Sequence, residues 1–162
     1  MTAAVATGAA GFLARYEGLK DHLPGARKPW LNTLRADAAA HFAARGLPTR
    51  RVEQWKYTDL GAIAQVHFAE PLTMVDGAIA LPAANAPHRA VFVDGRFRAD
   101  LSTLDGLAYR VLSLAQNLGD AEAQLGALAR PDNEPLTALN TMLFEDGLFI
   151  DIPDGVAGGL LE

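Results

Sequence analysis

A helix that runs into Gly46-Leu47-Pro48 has to stop there, and that punctuation organises the chain. Glycine takes a helix-ending conformation without steric cost, and proline two residues later has no amide hydrogen with which to continue the ladder. Upstream, Pro29 suits a first-turn position. Leu31, Leu34, Ala38 and Phe42 follow at spacings of three to four, with Arg35, Asp37 and Arg45 on other faces. The spacing predicts a helix beginning at Pro29, with Gly46 as its left-handed cap. Downstream, Thr49-Arg50-Arg51-Val52-Glu53-Gln54-Trp55-Lys56-Tyr57-Thr58-Asp59-Leu60 packs a basic pair, a Trp and a Tyr into a stretch with no simple hydrophobic period. A helical turn over 51–55 and then an extended run is the expectation.

The remaining elements are read in the same way. Phe12, Leu13, Tyr16 and Leu19 predict a short amphipathic helix over 11–22, ended near Pro24-Gly25. Residues 61–88 read as irregular, punctuated by Pro71, Asp76-Gly77, Pro82 and Pro87, with short strands expected at 66–68 and 79–81. Asp94-Gly95 lies between β-prone runs at 90–93 and 96–99 and predicts a hairpin with a type I′ turn. A strand is expected at 109–112, and Ser113 with Gln116 has capping-box spacing for a short helical turn. Asp120 is placed to cap a helix over 121–129 with Leu125 and Leu128 inward. Leu136, Leu139, Met142 and Leu143 form the stripe of another helix. Leu148 to Ile152 reads as a strand, and the glycine pairs Asp146-Gly147 and Asp154-Gly155 read as turns. The fold class expected is α+β. The β-prone segment near Glu162 has nothing after it to pair with, which predicts a natural protein that continues.

Composition narrows the function classes. The 162 residues are half hydrophobic and a fifth charged, enough for a folded core. No apolar run reaches membrane-spanning length, and the Ala-rich N-terminus lacks the basic start of a signal peptide. The cytoplasm is therefore the expected compartment. Zero cysteines rule out disulfides and any thiolate ligand for an iron–sulfur cluster or zinc. A net charge of −5 argues against nucleic acid as the main partner.

No motif assigns a catalytic, cofactor-binding or metal-ligating residue. Trp55, Lys56 and Tyr57 suggest an aromatic and cationic platform, but two large side chains anchoring a connection, with Lys56 at the surface and Glu53 pairing with Arg50 or Lys56, explain them as well. His22, His41, His67 and His88 are scattered, and His41 lies near the stripe of the second helix. Glu145, Asp146, Asp151 and Asp154 lack the alternation of a calcium loop. Gly8 and Gly11 follow no strand, and no Gly-x-Ser-x-Gly elbow is present. Asn117, Asn133 and Asn140 read as caps or polar helix positions.

Three segments together resemble the N-terminal part of SufD, in the SufB/SufD family of the SUF iron–sulfur cluster assembly system. They are Leu47-Pro48-Thr49-Arg50 followed by Glu53 and Trp55-Lys56-Tyr57-Thr58; Val91-Phe92-Val93-Asp94-Gly95-Arg96-Phe97; and Leu139-Asn140 with Asp146-Gly147-Leu148-Phe149-Ile150-Asp151-Ile152-Pro153-Asp154-Gly155-Val156. The first is the more specific and the third is common to both paralogues, so the combination resembles SufD more than SufB. The resemblance implies a helical N-terminal domain with a β-hairpin over 1–145. It also implies that 146–162 start a right-handed parallel β-helix core that is otherwise absent. It implies a non-enzymatic scaffold role in the cytoplasmic SufBCD complex, with SufB and the ATPase SufC contacted through regions beyond residue 162. The cluster belongs to the full complex, and no cofactor, membrane or nucleic acid is expected for this stretch. An exposed strand at 148–152 would favour weak self-association. The alternative is an independent small-ligand-binding or hydrolytic domain built on Trp55 and Tyr57.

Overall fold

The computed structural model describes residues 8–66 and 79–162. The chain divides into two compact units, Met1–Ala69 with Glu122–Phe144, and Glu70–Ala121 with Glu145–Glu162. Helices occupy the first and short antiparallel strands the second, so the α+β expectation holds.

In the first unit, α1 (Gly8–Leu19), α2 (Pro29–Arg45) and α4 (Pro135–Leu143) surround one core, and the short α3 (Gly61–Gln65) lies against α1 without a buried residue of its own. Tyr16, Leu23, Ala38, Phe42, Ala138 and Met142 are buried in it, and Phe12 meets Phe42 edge-on at 6.2 Å between ring centroids. Pro29 opens α2 as expected, and Asn32 donates to the Ala26 carbonyl at 2.7 Å, tying the first turn to the preceding loop. Gly46 has φ +65° but ψ −163°, so it ends α2 through positive φ without being a left-handed helical cap. Its amide still closes the last turn on the Phe42 carbonyl at 2.7 Å.

The buried face of α2 differs from the expected one. Leu31, Arg35, Ala38 and Phe42 are the buried set, and Leu34 is half-buried. Arg35 was expected on another face, yet it is 1% exposed. It donates to the Pro24 carbonyl at 2.9 Å and to the Phe144 carbonyl at 3.0 Å, and these acceptors make burial of the guanidinium tolerable. Burial nonetheless pushes Arg35 below its ordinary pKa. The 310 turn expected near Trp55 forms at Glu53–Trp55. Residues 61–65, read as irregular, are instead α3, whose start is tied by Asp59 accepting from the Gly61 amide at 2.8 Å. Val66 is not in a strand, while His67 and Phe68, like Pro71 and Asp76-Gly77, lie outside the described residues.

The helix expected over 121–129 does not form, and turns take its place. Gly126 has φ +80°, which breaks a helix, and Leu128, expected inward, is 93% exposed. The helix expected from the Leu136, Leu139 and Met142 stripe does form, as α4. Glu134 caps it by accepting the Leu136 and Thr137 amides at 2.6 and 3.1 Å.

In the second unit, β1 (Phe92–Val93) and β2 (Arg96–Phe97) form the expected hairpin. Asp94 and Gly95 both take positive φ, +50° and +78°, as a type I′ turn requires. The strands are shorter than expected because Ala99–Leu101 turns into a 310 helix. Residues 79–81 form no strand. Arg110–Ser113, β3, lies one residue later than expected and pairs antiparallel with β4 (Leu148–Asp151), aligning Val111 with Ile150 and Leu112 with Phe149. The segment expected to lack a partner downstream therefore finds one upstream. Ser113 holds a turn rather than a helix, accepting the Gln116 amide at 3.3 Å.

Candidate functional site

Residues 46–60 fold as a chain of single turns. Amide-to-carbonyl bonds run from Val52 to Thr49 at 2.9 Å, from Trp55 to Val52 at 2.8 Å and from Thr58 to Trp55 at 2.9 Å. Successive tight turns expose most of their side chains, while buried Pro48 fixes the start of the run. Two clefts flank Leu47-Pro48-Thr49. One, of about 470 Å³, is lined by Leu47, Val52 and half-buried Trp55 together with Arg45, Glu134 and Pro135. The other, of about 520 Å³, is lined by Leu47, Leu60 and Ala64 with Arg50, Arg51 and Asp59.

The aromatic platform imagined from the sequence does not assemble. Trp55 lines the first cleft, but Tyr57 is 88% exposed and lines neither. Nor do both rings anchor a connection, because only Trp55 is packed. Lys56 pairs with Glu53 and lies 5.1 Å over the Tyr57 ring, an exposed arrangement of small energetic weight. The sequence order Trp-Lys-Tyr places the two rings two residues apart, and the turn directs them to different surroundings.

His22 is exposed, His41 and His88 are half-buried, and His67 lies outside the described residues. No group of three His, Asp or Glu side chains with metal-binding geometry occurs among the described residues. Of the acidic set at 145–154, Glu145, Asp146 and Asp151 are occupied by protein donors. Arg96 holds Glu145 at 2.7 Å, and Arg110 reaches Asp151 at 3.3 Å. Asp146-Gly147 is not a turn but the lead-in to β4, whereas Asp154-Gly155 does turn, with Gly155 at φ +78°.

Asp146 is the structural centre that sequence reasoning missed. Its Oδ1 accepts from the Ser113 hydroxyl at 2.9 Å, the Ala115 amide at 3.0 Å and the Gly147 amide at 2.8 Å, while Oδ2 accepts from the Phe97 amide at 3.1 Å. Burial pushes this carboxyl up, but the Ala115, Gly147 and Phe97 amides and the Ser113 hydroxyl together outweigh it and hold the pKa below the ordinary value. Asp146 therefore ties the end of the hairpin to the β3–β4 pair. Asn117 supports the same corner, donating to the Ser113 carbonyl at 2.8 Å. An aspartate beside a glycine signals a turn in sequence; nothing local shows that its acceptors serve segments some thirty and fifty residues away.

Among the described residues no helix is long and apolar enough to cross a membrane. Comparison with curated proteins gives no match, and comparison with solved structures gives none either. Comparison with protein families matches the SufBD protein N-terminal region over residues 8–84 and 95–158. That match takes in the clefted turn segment, α1, α2 and α4, and the β3–β4 pair. The chain belongs to the SufBD family, whose setting is iron–sulfur cluster assembly by the SUF system.

Proposed function

We propose that this chain is the N-terminal region of a SufD-type subunit rather than of SufB, and that it serves a SufBCD complex as a scaffold and docking part without catalysing a reaction. The observation that carries the reading is the segment 46–60, whose Leu-Pro-Thr-Arg and Trp-Lys-Tyr-Thr pattern resembles SufD in particular. In this reading the turns of that segment present a surface for docking. The protein works in the cytoplasm. The iron–sulfur cluster is cargo of the assembled complex, since a chain with no cysteine supplies no thiolate of its own. Contacts with SufB and SufC fall to parts of such subunits outside residues 1–162.

The test is a domain exchange in a bacterium that depends on its SUF system. Residues 1–162 replace the corresponding region of the host SufD in one strain and of the host SufB in another, and the activity of an iron–sulfur enzyme is read in each. Recovery with the SufD exchange and not with the SufB exchange is expected. Recovery with the SufB exchange alone would overturn the assignment.

A further inference from the structure

Three arginines border Leu47-Pro48-Thr49 with their guanidinium groups left without a partner among the described residues. Arg45 lines the Trp55 cleft, and Arg50 and Arg51 line its neighbour. All three are exposed, and among the described residues none of their guanidinium groups has a hydrogen-bond or ion-pair partner. The nearby acids are already engaged. Glu53 pairs with Lys56, Asp59 holds the Gly61 amide and Glu134 caps α4. A chain with net charge −5 thus keeps three guanidinium groups within seven residues that have no partner among the described residues, over clefts with apolar floors of Leu47, Pro48, Val52, Trp55 and Leu60.

We infer that this double cleft is a docking surface for an acidic peptide segment of a partner protein, with an apolar side chain of that segment entering beside Trp55. Charge complementarity selects the sign. Arginine forks match carboxylates bidentately, and exposed rim charges steer encounter more than they hold the complex. The apolar floors select a peptide over a bare polyanion. Two clefts sharing one ridge also suit an extended chain better than a compact ligand, because alternate side chains of an extended peptide can enter on either side. Trp55 is the large, half-exposed ring that supplies contact area at such a surface. The inference stands on the geometry of residues 45–60. It holds equally for a SufD-type or a SufB-type subunit, so its failure would leave the domain exchange above unaffected.

The test uses the whole 162-residue chain and a short fluorescein-labelled peptide of alternating Glu and Leu, read by anisotropy at low salt. Controls are the same peptide with Gln for Glu, an all-Glu peptide and a single-stranded RNA of equal charge. Saturable binding of the Glu-Leu peptide is expected. It should weaken about tenfold or more with the Gln peptide, with the all-Glu peptide, and with R50E/R51E, and it should fall with added salt. Arg50 and Arg51 are exposed, so R50E/R51E and the milder R50Q/R51Q should keep the native circular dichroism. Equal binding of the Gln peptide, unchanged affinity in R50E/R51E, no saturable binding, or tighter binding of the RNA would each overturn the inference.

Discussion

Arg35 holds Phe144 in two ways at once: it donates a hydrogen bond to the Phe144 carbonyl at 3.0 Å, and its guanidinium lies 4.7 Å from the centre of the Phe144 ring. The same side chain reaches the Pro24 carbonyl, so one buried cation joins α2 to the loop after α1 and to the end of α4. Among the described residues no carboxylate pairs with it. The carbonyls supply the negative ends of their dipoles, and the ring face adds a further favourable contact.

Removing that cation should be costly. Arg35→Ala leaves two partly buried carbonyls without donors and opens a cavity where a buried side chain stood, and should lower unfolding free energy by about 3–5 kcal/mol. Arg35→Lys keeps the charge but not the planar fork and should fall between the two. Urea unfolding followed by circular dichroism measures both. A loss below 1 kcal/mol for Arg35→Ala would show that the clasp contributes little.

Asp146 predicts a pH dependence. Its folded pKa lies below the ordinary value because its donors favour the carboxylate. Its contribution to stability is therefore fully present above the unfolded pKa of about 3.9 and is lost as pH falls through the lower folded value. Asp146→Asn replaces one acceptor oxygen by a donor amide and should cost about 2–4 kcal/mol at neutral pH. The gap between wild type and variant should narrow on acidification below about pH 4. A gap that stays constant from neutral pH into strong acid would contradict this account.

Gly126 tests the segment where a helix was expected. Its φ is +80°, and a Cβ built there would lie 3.0 Å from Leu34 Cδ1. Gly126→Ala combines backbone strain with a contact that Leu34 must yield to, and should destabilise by about 1–3 kcal/mol in thermal unfolding. A stabilised variant would mean that 121–129 adopts the helix after all.

Trp55 separates packing from binding. Because the ring is only half-buried, Trp55→Ala should cost about 1–2 kcal/mol of stability, well short of a core aromatic. Phe42→Ala, from a ring with no exposed surface, should cost about 3–5 kcal/mol in the same chemical denaturation experiment. Equal losses would place Trp55 in the core and remove it from the cleft surface.

Local chemistry determined much of this chain. Pro29 and Gly46 bound α2, Asp94-Gly95 makes the hairpin turn, and the Leu136–Met142 pattern marks α4, because each depends on backbone preferences or on one amphipathic period. The family was legible for a related reason: short segments of distinctive residue order keep their identity without their neighbours. Only the tertiary structure decided what the charged side chains do. Arg35 looks like a surface residue until Pro24 and Phe144 bring carbonyls to it, and Asp146 looks like a turn residue until Phe97 and Ser113 converge on its oxygens. Tyr57 looks like a partner of Trp55 until the 310 turn directs the rings apart. Hydrophobic spacing reports which residues avoid water, whereas the place of a charge depends on donors and acceptors supplied from distant parts of the chain.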